Sequence, residues 1–200
     1  MLENMFDPIG APGAAKVIVR SATVADGPAM ARLHDNVWRE MNCGLLPAQI
    51  AGTPESERGA WSQAPGGARL VAEYRGEVVG LCVGGLARDP LLHADAEIQG
   101  VYVRHGFRFR GIGARLVSAL ARRLSFCGAS CTGVWISAVN VAAVAFARAL
   151  GAAVEGRAAI IRHALEEGAL LAGRPRLALV WRDIDALAAQ DNRGRLRIAD

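Results

Sequence analysis

The chain has 200 residues, 52% hydrophobic and 21% charged, which is enough apolar material for one domain with a sizeable core. Its formal charge is only +4, and the basic residues are almost all arginine, with Lys16 the only lysine; they are dispersed rather than gathered into a basic stripe with interleaved aromatics, which argues against a nucleic-acid partner. No run of about 18 apolar residues is present to cross a bilayer, and the opening "MLENMFDPIGAPG" has acids where a secretion signal carries bases, so a soluble, cytoplasmic protein with no membrane partner is expected.

Taken in chain order, residues 1–14 read as a disordered leader closed by Pro12 and Gly13, and residues 15–184 as one folded unit. "KVIVRSA" predicts a first strand. "TVADGPAMARLHDNVWREMNCG" predicts a helix with Thr23 or Asp26 near its start and Gly44 near its end, and Met30, Leu33, Val37 and Met41 recur at helical spacing as its core face. His34 and Trp38 then fall on a neighbouring face. "LLPAQIAG" and "PESERGAWSQ" allow a short second helix or two. "ARLVAEYRGEVVGLCVGGLARD" reads as a hairpin turning at "YRGE", and "DAEIQGVYVR" as another strand. Next comes the helix "GARLVSALARRLSFCG", with Leu116, Leu120 and Leu124 along one stripe. The strand "TGVWISA" follows, then a helix started by Asn140 and stopped by Gly151, and two more strand candidates, "AAVEGRAAIIRH" and "RLALVWRDI". Residues 185–200 read as a short helix and a frayed tail. Cys43, Cys82, Cys127 and Cys131 lie in apolar contexts without ligand spacing, so buried free thiols and no metal site are expected.

The strand-to-helix passage "VYVRHGFRFRGIGARL" carries the chemistry. A Walker A loop needs a Gly-Lys-Ser/Thr end, and no lysine is near. A dinucleotide fingerprint needs a third glycine where Leu116 stands. What remains is "RFRGIGA", Arg108 to Ala114, of the form Q/R-x-x-G-x-G/A. A helix N-terminus offers unpaired N–H groups and a positive dipole end, glycines let the backbone approach, and arginines add charge-assisted bonds, so this stretch can cradle a pyrophosphate.

The motif resembles the acyl-CoA signature of the GNAT superfamily of N-acyltransferases. "VRSATVADGPAMARLHDNVWREMNCGLLP" is similar to the first strand and helix of bacterial members, and "NVAAVAFARALGA" to a later motif, N-x-x-A-x-x-(F/L)-Y-x-x-x-GF, matched at Asn140, Ala143, Phe146 and Gly151. The resemblance runs from about residue 16 to 183. It implies an α/β (α+β) fold: a mixed, mostly antiparallel sheet of six to seven strands flanked by helices, with the fourth and fifth strands splayed apart.

It also implies roles. Acetyl-CoA as co-substrate, with no metal, would be held by Val101, Tyr102 and Val103 of the fourth strand, by Arg108, Phe109, Arg110, Gly111, Ile112, Gly113 and Ala114 of the loop, and by Asn140 and Phe146. A backbone N–H near Val101 would face the thioester oxygen as an oxyanion donor. Glu97, eleven positions before Arg108, resembles the base glutamate of the histone-acetylating branch; Gln99 stands where several small-molecule acetyltransferases carry a glutamate. Both alternate onto one strand face, Glu97 to deprotonate the amine through a water and Gln99 to orient it. His34 and Trp38 are the candidates for the acceptor pocket, with a packing role as the competing reading. The implied activity is transfer of an acetyl group from acetyl-CoA to a primary amine by direct attack in a ternary complex. A small-molecule amine is favoured over a protein acceptor, and a homodimer stays open.

Three departures stand out. His105 replaces a usual proline and Phe109 a common glycine. Ala147 occupies the position of the family's tyrosine, the acid for the departing thiolate, leaving water or Ser137 for that task. The alternative reading is therefore a GNAT-like module that binds acyl-CoA with little or no turnover.

Overall fold

The computed structural model describes residues 16–42, 67–158 and 175–190. The expected leader, the short helices around "LLPAQIAG" and "PESERGAWSQ", Cys43 and Gly44, the end of the strand candidate "AAVEGRAAIIRH" and residues 191–200 of the tail lie outside the described residues.

Among the described residues seven strands and four helices follow one another: β1 (Ile18–Ser21), α1 (Gly27–Asn42), β2 (Ala68–Tyr74), β3 (Glu77–Leu86), β4 (Ala96–Val103), α2 (Ile112–Phe126), β5 (Thr132–Ser137), α3 (Val141–Ala149), β6 (Ala153–Ala158), β7 (Arg176–Trp181) and α4 (Ile184–Ala188). They form one sheet in the order β1-β2-β3-β4-β5-β7-β6. Every neighbouring pair is antiparallel except β4 and β5, which run parallel. This is the mixed, mostly antiparallel sheet that the sequence implies.

Local chemistry sets the turns. Arg75 and Gly76 both take positive φ, 50° and 79°, the two-residue hairpin turn whose twist matches the flanking strands. Asn140 caps α3 by accepting the Ala143 N–H at 3.1 Å, and Gly151 ends that helix at φ 89°. A single 3-10 turn, Val24–Asp26, leads into α1, with Thr23 donating its N–H and hydroxyl to the Asp26 carboxylate at 2.7 and 2.9 Å.

The sheet separates two cores. On one side α2 and α4 pack over the strands, and Leu116, Leu120, Leu124, Ala72, Cys82, Ile98, Leu179 and Ile184 fill the larger cluster. On the other, α1 lays Met30, Leu33 and Val37 on Val71, Leu81 and Val83. Both helical stripes read from the sequence are thus core, although the Met41 side chain lies outside what is described. The thiols divide: Cys82 is buried in the larger core, whereas Cys127, expected to be buried, is exposed at the end of α2, where the chain has already turned to solvent.

Two predictions follow from these contacts. Asp26 is bound by both terminal nitrogens of Arg20, at 2.8 and 2.9 Å, and Arg20 also reaches Glu73, which ties the start of α1 to β1 and β2. The Arg20 guanidinium, then the Thr23 N–H, hold the Asp26 carboxyl well below the usual carboxylate range. A depressed carboxyl adds stability above its unfolded pKa of about 3.9 and loses it as pH falls toward the folded value. Asp26→Asn is therefore expected to lower stability at pH 7 and to flatten the decline below about pH 4, as read by urea unfolding across pH.

The second prediction concerns Gly84 of β3. A Cβ there would lie 2.7 Å from the Glu97 carbonyl oxygen and 2.8 Å from a Leu120 methyl. Gly84→Ala should cost about 1–3 kcal/mol, the usual range for overpacking, in thermal or denaturant unfolding.

Candidate functional site

The parallel strands β4 and β5 pair at only two positions, Ala96 with Thr132 and Glu97 with Gly133. Beyond them β4 runs on to Val103 and β5 to Ser137 without further pairing, so the two strands part into a cleft. The place of parting coincides with a bulge. On β3, Val83 faces Gly100 and the next residue, Gly84, faces Ile98, so Gln99 is the extra residue of β4.

The bulge changes what β4 presents. Before it Ala96 and Ile98 belong to the larger core; after it Val101 and Val103 pack against that same core, while Tyr102 packs with the α1 cluster. The main chain changes phase in the same way. The Arg104 N–H bonds to the carbonyl of its β3 partner Val79 at 2.9 Å, so the residues that exchange bonds with β3 are Tyr102 and Gly100. The N–H and C=O groups of Val101 and Val103 therefore point away from β3, toward the cleft. These are the two residues expected to meet the co-substrate through their backbone.

β4 leads through a 3-10 turn, His105–Phe107, into the glycine loop and α2. Gly111 holds the helix start at φ 75° and ψ −1°. The main-chain ladder of the helix begins with the bond from Arg115 N–H to Gly111 O, which leaves the N–H groups of Ile112, Gly113 and Ala114 as the open end of the helix. Phe109 also takes a positive φ, 60°, and its side chain is wholly exposed. The loop thus needs a left-handed residue where glycine would be unstrained. Gly113 is close to Phe146: a Cβ there would meet the ring at 3.2 Å, so these two predicted residues share one spot, and the space beside Gly113 belongs to the ring.

The arginines of the loop are already engaged. Arg108 donates from Nε to the Val103 carbonyl at 3.0 Å and from Nη2 to Glu40 of α1 at 2.6 Å, locking the end of β4 to α1. Arg110 lies over the Phe107 ring, 5.7 Å from its centroid. Asn140 spends its carbonyl oxygen on the helix cap described above.

The opposite face of β4, toward α1, carries the polar side chains. Glu97 is buried, with Arg88 Nε 3.7 Å from its carboxylate. Gln99 follows on the bulge, and the Tyr102 ring folds back over Gly100, where a Cβ would come within 2.5 Å. Tyr102 meets His34 edge-on at 4.6 Å between centroids, and His34 stacks on Trp38 at 6.1 Å. His34 is 0% exposed, enclosed in this aromatic group; Trp38 is half-buried beside it.

Residues 32–152 of the chain match the acetyltransferase (GNAT) family. The protein is a member of that family. No curated protein matches it. Among solved structures the fold is similar to yncA of Salmonella typhimurium, solved with its cofactor acetyl-CoA (21% identity, 84% of this chain and 94% of that one, TM-score 0.59). It is also similar to the PaiA N-acetyltransferase of Thermoplasma acidophilum in complex with coenzyme A (13%, 82% and 98%, TM-score 0.61). A third likeness is to the ribosomal-protein-alanine N-acetyltransferase of Brucella melitensis (24%, 82% and 98%, TM-score 0.61). At these identities the likeness is one of fold.

Two residues of this GNAT protein escaped the sequence reading. Gly84 makes room for the Glu97 carbonyl at the bulge. Trp135 of β5 lies opposite Val134 and Ile136, which pack on the larger core, and so shares the face of Gln99. Both left a trace. In "AEIQGVYV" the apolar positions move from even, Ala96 and Ile98, to odd, Val101 and Val103, and that phase slip is the signature of a bulge; "VGGL" on the partner strand marks a close approach. For Trp135 the same alternation in "TGVWIS" was the signal.

Ala147 is 1% exposed, a core residue rather than a cleft residue. Ala147→Tyr, which would restore the family's usual hydroxyl, must push a ring into this packing. Destabilisation of about 1–3 kcal/mol is expected in thermal unfolding; an unchanged Tm would show that the phenol finds room toward the cleft.

Proposed function

We propose that this GNAT protein moves an acetyl group from acetyl-CoA to a small primary amine by direct attack in a ternary complex. The observation that carries the reading is the parting of β4 from β5 just after Glu97, which opens Val101 and Val103 main-chain groups toward a cleft ending at the glycine loop and α2. Acetyl-CoA supplies the activated acyl group. The pantetheine amides fit the outward N–H and C=O of Val101 and the N–H of Val103, and the pyrophosphate fits the N–H groups of residues 112–114 at the positive end of α2. In this arrangement the loop cradles through its backbone, since Arg108 is held by Glu40 and Val103.

Glu97 is the proposed base. Its carboxylate is buried at the mouth of the cleft, on the face turned to α1. It would take the ammonium proton, through a water, before the amine attacks. The outward N–H of Val101 would stabilise the charge that develops on the thioester oxygen. With Ala147 enclosed, a water is the proposed source of the proton for the departing thiolate. The acceptor side then lies between β4 and α1, near Trp38.

The second reading is a module that binds acyl-CoA without efficient turnover, and the enclosed Ala147 favours it. Thiol release from acetyl-CoA with a panel of primary amines separates the two. Amine-dependent release is expected; tight binding by calorimetry with no release from a broad panel would favour the module. In the active case Glu97→Gln should lower kcat by about 10² to 10⁴ and leave acetyl-CoA affinity within about twofold. Wild-type turnover in that variant would move the base role elsewhere.

A further inference from the structure

Two polar side chains at the parting of the strands have no partner. Both amide atoms of Gln99 and the indole Nε1 of Trp135 are shielded from solvent, yet none makes a hydrogen bond among the described residues. A shielded polar atom left without a bond costs free energy that a bound ligand can recover, so such atoms mark where a ligand's polar groups belong.

Their placement is the same from both strands. Gln99 lies two residues beyond the last β4–β5 pair, on the bulge, and Trp135 lies two residues beyond it on β5. Ile98 on β4, and Val134 and Ile136 on β5, point into or against the larger core, so Gln99 and Trp135 share the face turned toward α1, on opposite banks of the cleft. This is the acceptor side of the proposed reaction, close to Glu97.

The donor inventory selects the ligand. The Gln99 amide presents two donors and an acceptor oxygen with two lone pairs, and the Trp135 N–H one donor. A carboxamide matches this set: its oxygen accepts, and its N–H donates back to the Gln99 oxygen. A carboxylate accepts from the same donors but gives the Gln99 oxygen no donor of its own, so only the amine N–H is left to pair it. It would also bring a negative charge beside Glu97, whose carboxylate already has Arg88 at 3.7 Å. An amine with no neighbouring polar group can donate an N–H to the Gln99 oxygen, but its lone pair is committed to the attack, so the Gln99 and Trp135 N–H groups stay unpaired.

We infer that the acceptor is a primary amine with an adjacent neutral carboxamide, and that Gln99 and Trp135 select it by binding that group across the cleft. The inference rests on the acetyl-transfer reading and names its substrate class. Two sources supply such a group: the amide of a single amino acid and the N-terminus of a peptide.

The test is thiol release from acetyl-CoA with alaninamide, trialanine, free alanine and isopropylamine, using the full chain and the variants Gln99→Leu and Trp135→Phe. Wild-type kcat/KM is expected to be at least about tenfold higher for alaninamide than for alanine or isopropylamine. Trp135→Phe should lower the alaninamide value by about tenfold while leaving isopropylamine and the KM for acetyl-CoA unchanged, a split that intrinsic amine reactivity cannot produce, and Gln99→Leu, which also removes a group that orients the amine, should lower alaninamide by more than it lowers isopropylamine. Trialanine matching alaninamide points to a peptide N-terminus as the source, and alaninamide alone to a small molecule. Equal losses for all amines, or a raised KM for acetyl-CoA, would overturn the inference. The indole N–H resonance of Trp135 gives a readout free of turnover: in the CoA-bound protein it should shift with alaninamide and not with isopropylamine. Thiol release from no amine would sink the acetyl-transfer reading alone, whereas an indole resonance indifferent to alaninamide would sink this one.

Discussion

One irregularity governs the geometry of this protein: the extra residue that β4 inserts at Gln99, opposite the glycine of β3 that makes room for it. A regular strand would keep Ala96, Ile98, Gly100 and Tyr102 on one face and would continue beside β5. With one residue added, Val101 and Val103 replace them against the larger core, and the hydrogen-bonding phase with β3 changes in step. The strand that would otherwise bond to β5 now offers its main chain to an opening. The close fit of Gly84 against the Glu97 carbonyl and Leu120 means that the bulge is held from the core side, by backbone and packing together.

From that one feature the division of labour follows. The α2 side of the sheet is apolar and continuous, and it anchors the helix whose N-terminus faces the end of the cleft. The α1 side collects the polar groups: Glu97 with Arg88, then Gln99, and Trp135 from the opposite bank. Arg108 joins the two, since its guanidinium ties the end of β4 to Glu40 of α1. Loop arginines that suggest phosphate ligands in the sequence are thus partly structural. The proposed anion site relies on glycine geometry and a helix end, which suits a group that must enter and leave in every turnover.

How much of this could be read from the sequence depends on the range of the interaction. The strands, the hairpin turn at Arg75 and Gly76, the Asn140 cap and the leucine stripe of α2 are local patterns, and each lies where the spacing put it. The splay of β4 and β5 came through resemblance to the family rather than through residue pattern. What stayed hidden was pairing: that Arg108 finds Glu40, sixty-eight residues away, that Phe146 fills the space beside Gly113, and that Ala147 is enclosed. Those contacts are decided by how elements dock, on which a one-dimensional pattern is silent. His34 shows the same limit, since its helical position allowed both a pocket and a packing role, and only the Tyr102 ring against it makes it an enclosed residue.

Residue-resolved amide hydrogen exchange, followed by NMR with and without acetyl-CoA, reaches the central claim most directly. Gly100 and Tyr102 amides bond to β3 and should exchange slowly in both states. The Val101 amide points into the cleft and should exchange fast in the free protein, then become protected when acetyl-CoA binds. A Val101 amide already slow in the free protein, or one that acetyl-CoA leaves unprotected, would contradict the phase change at Gln99 and the cleft built on it.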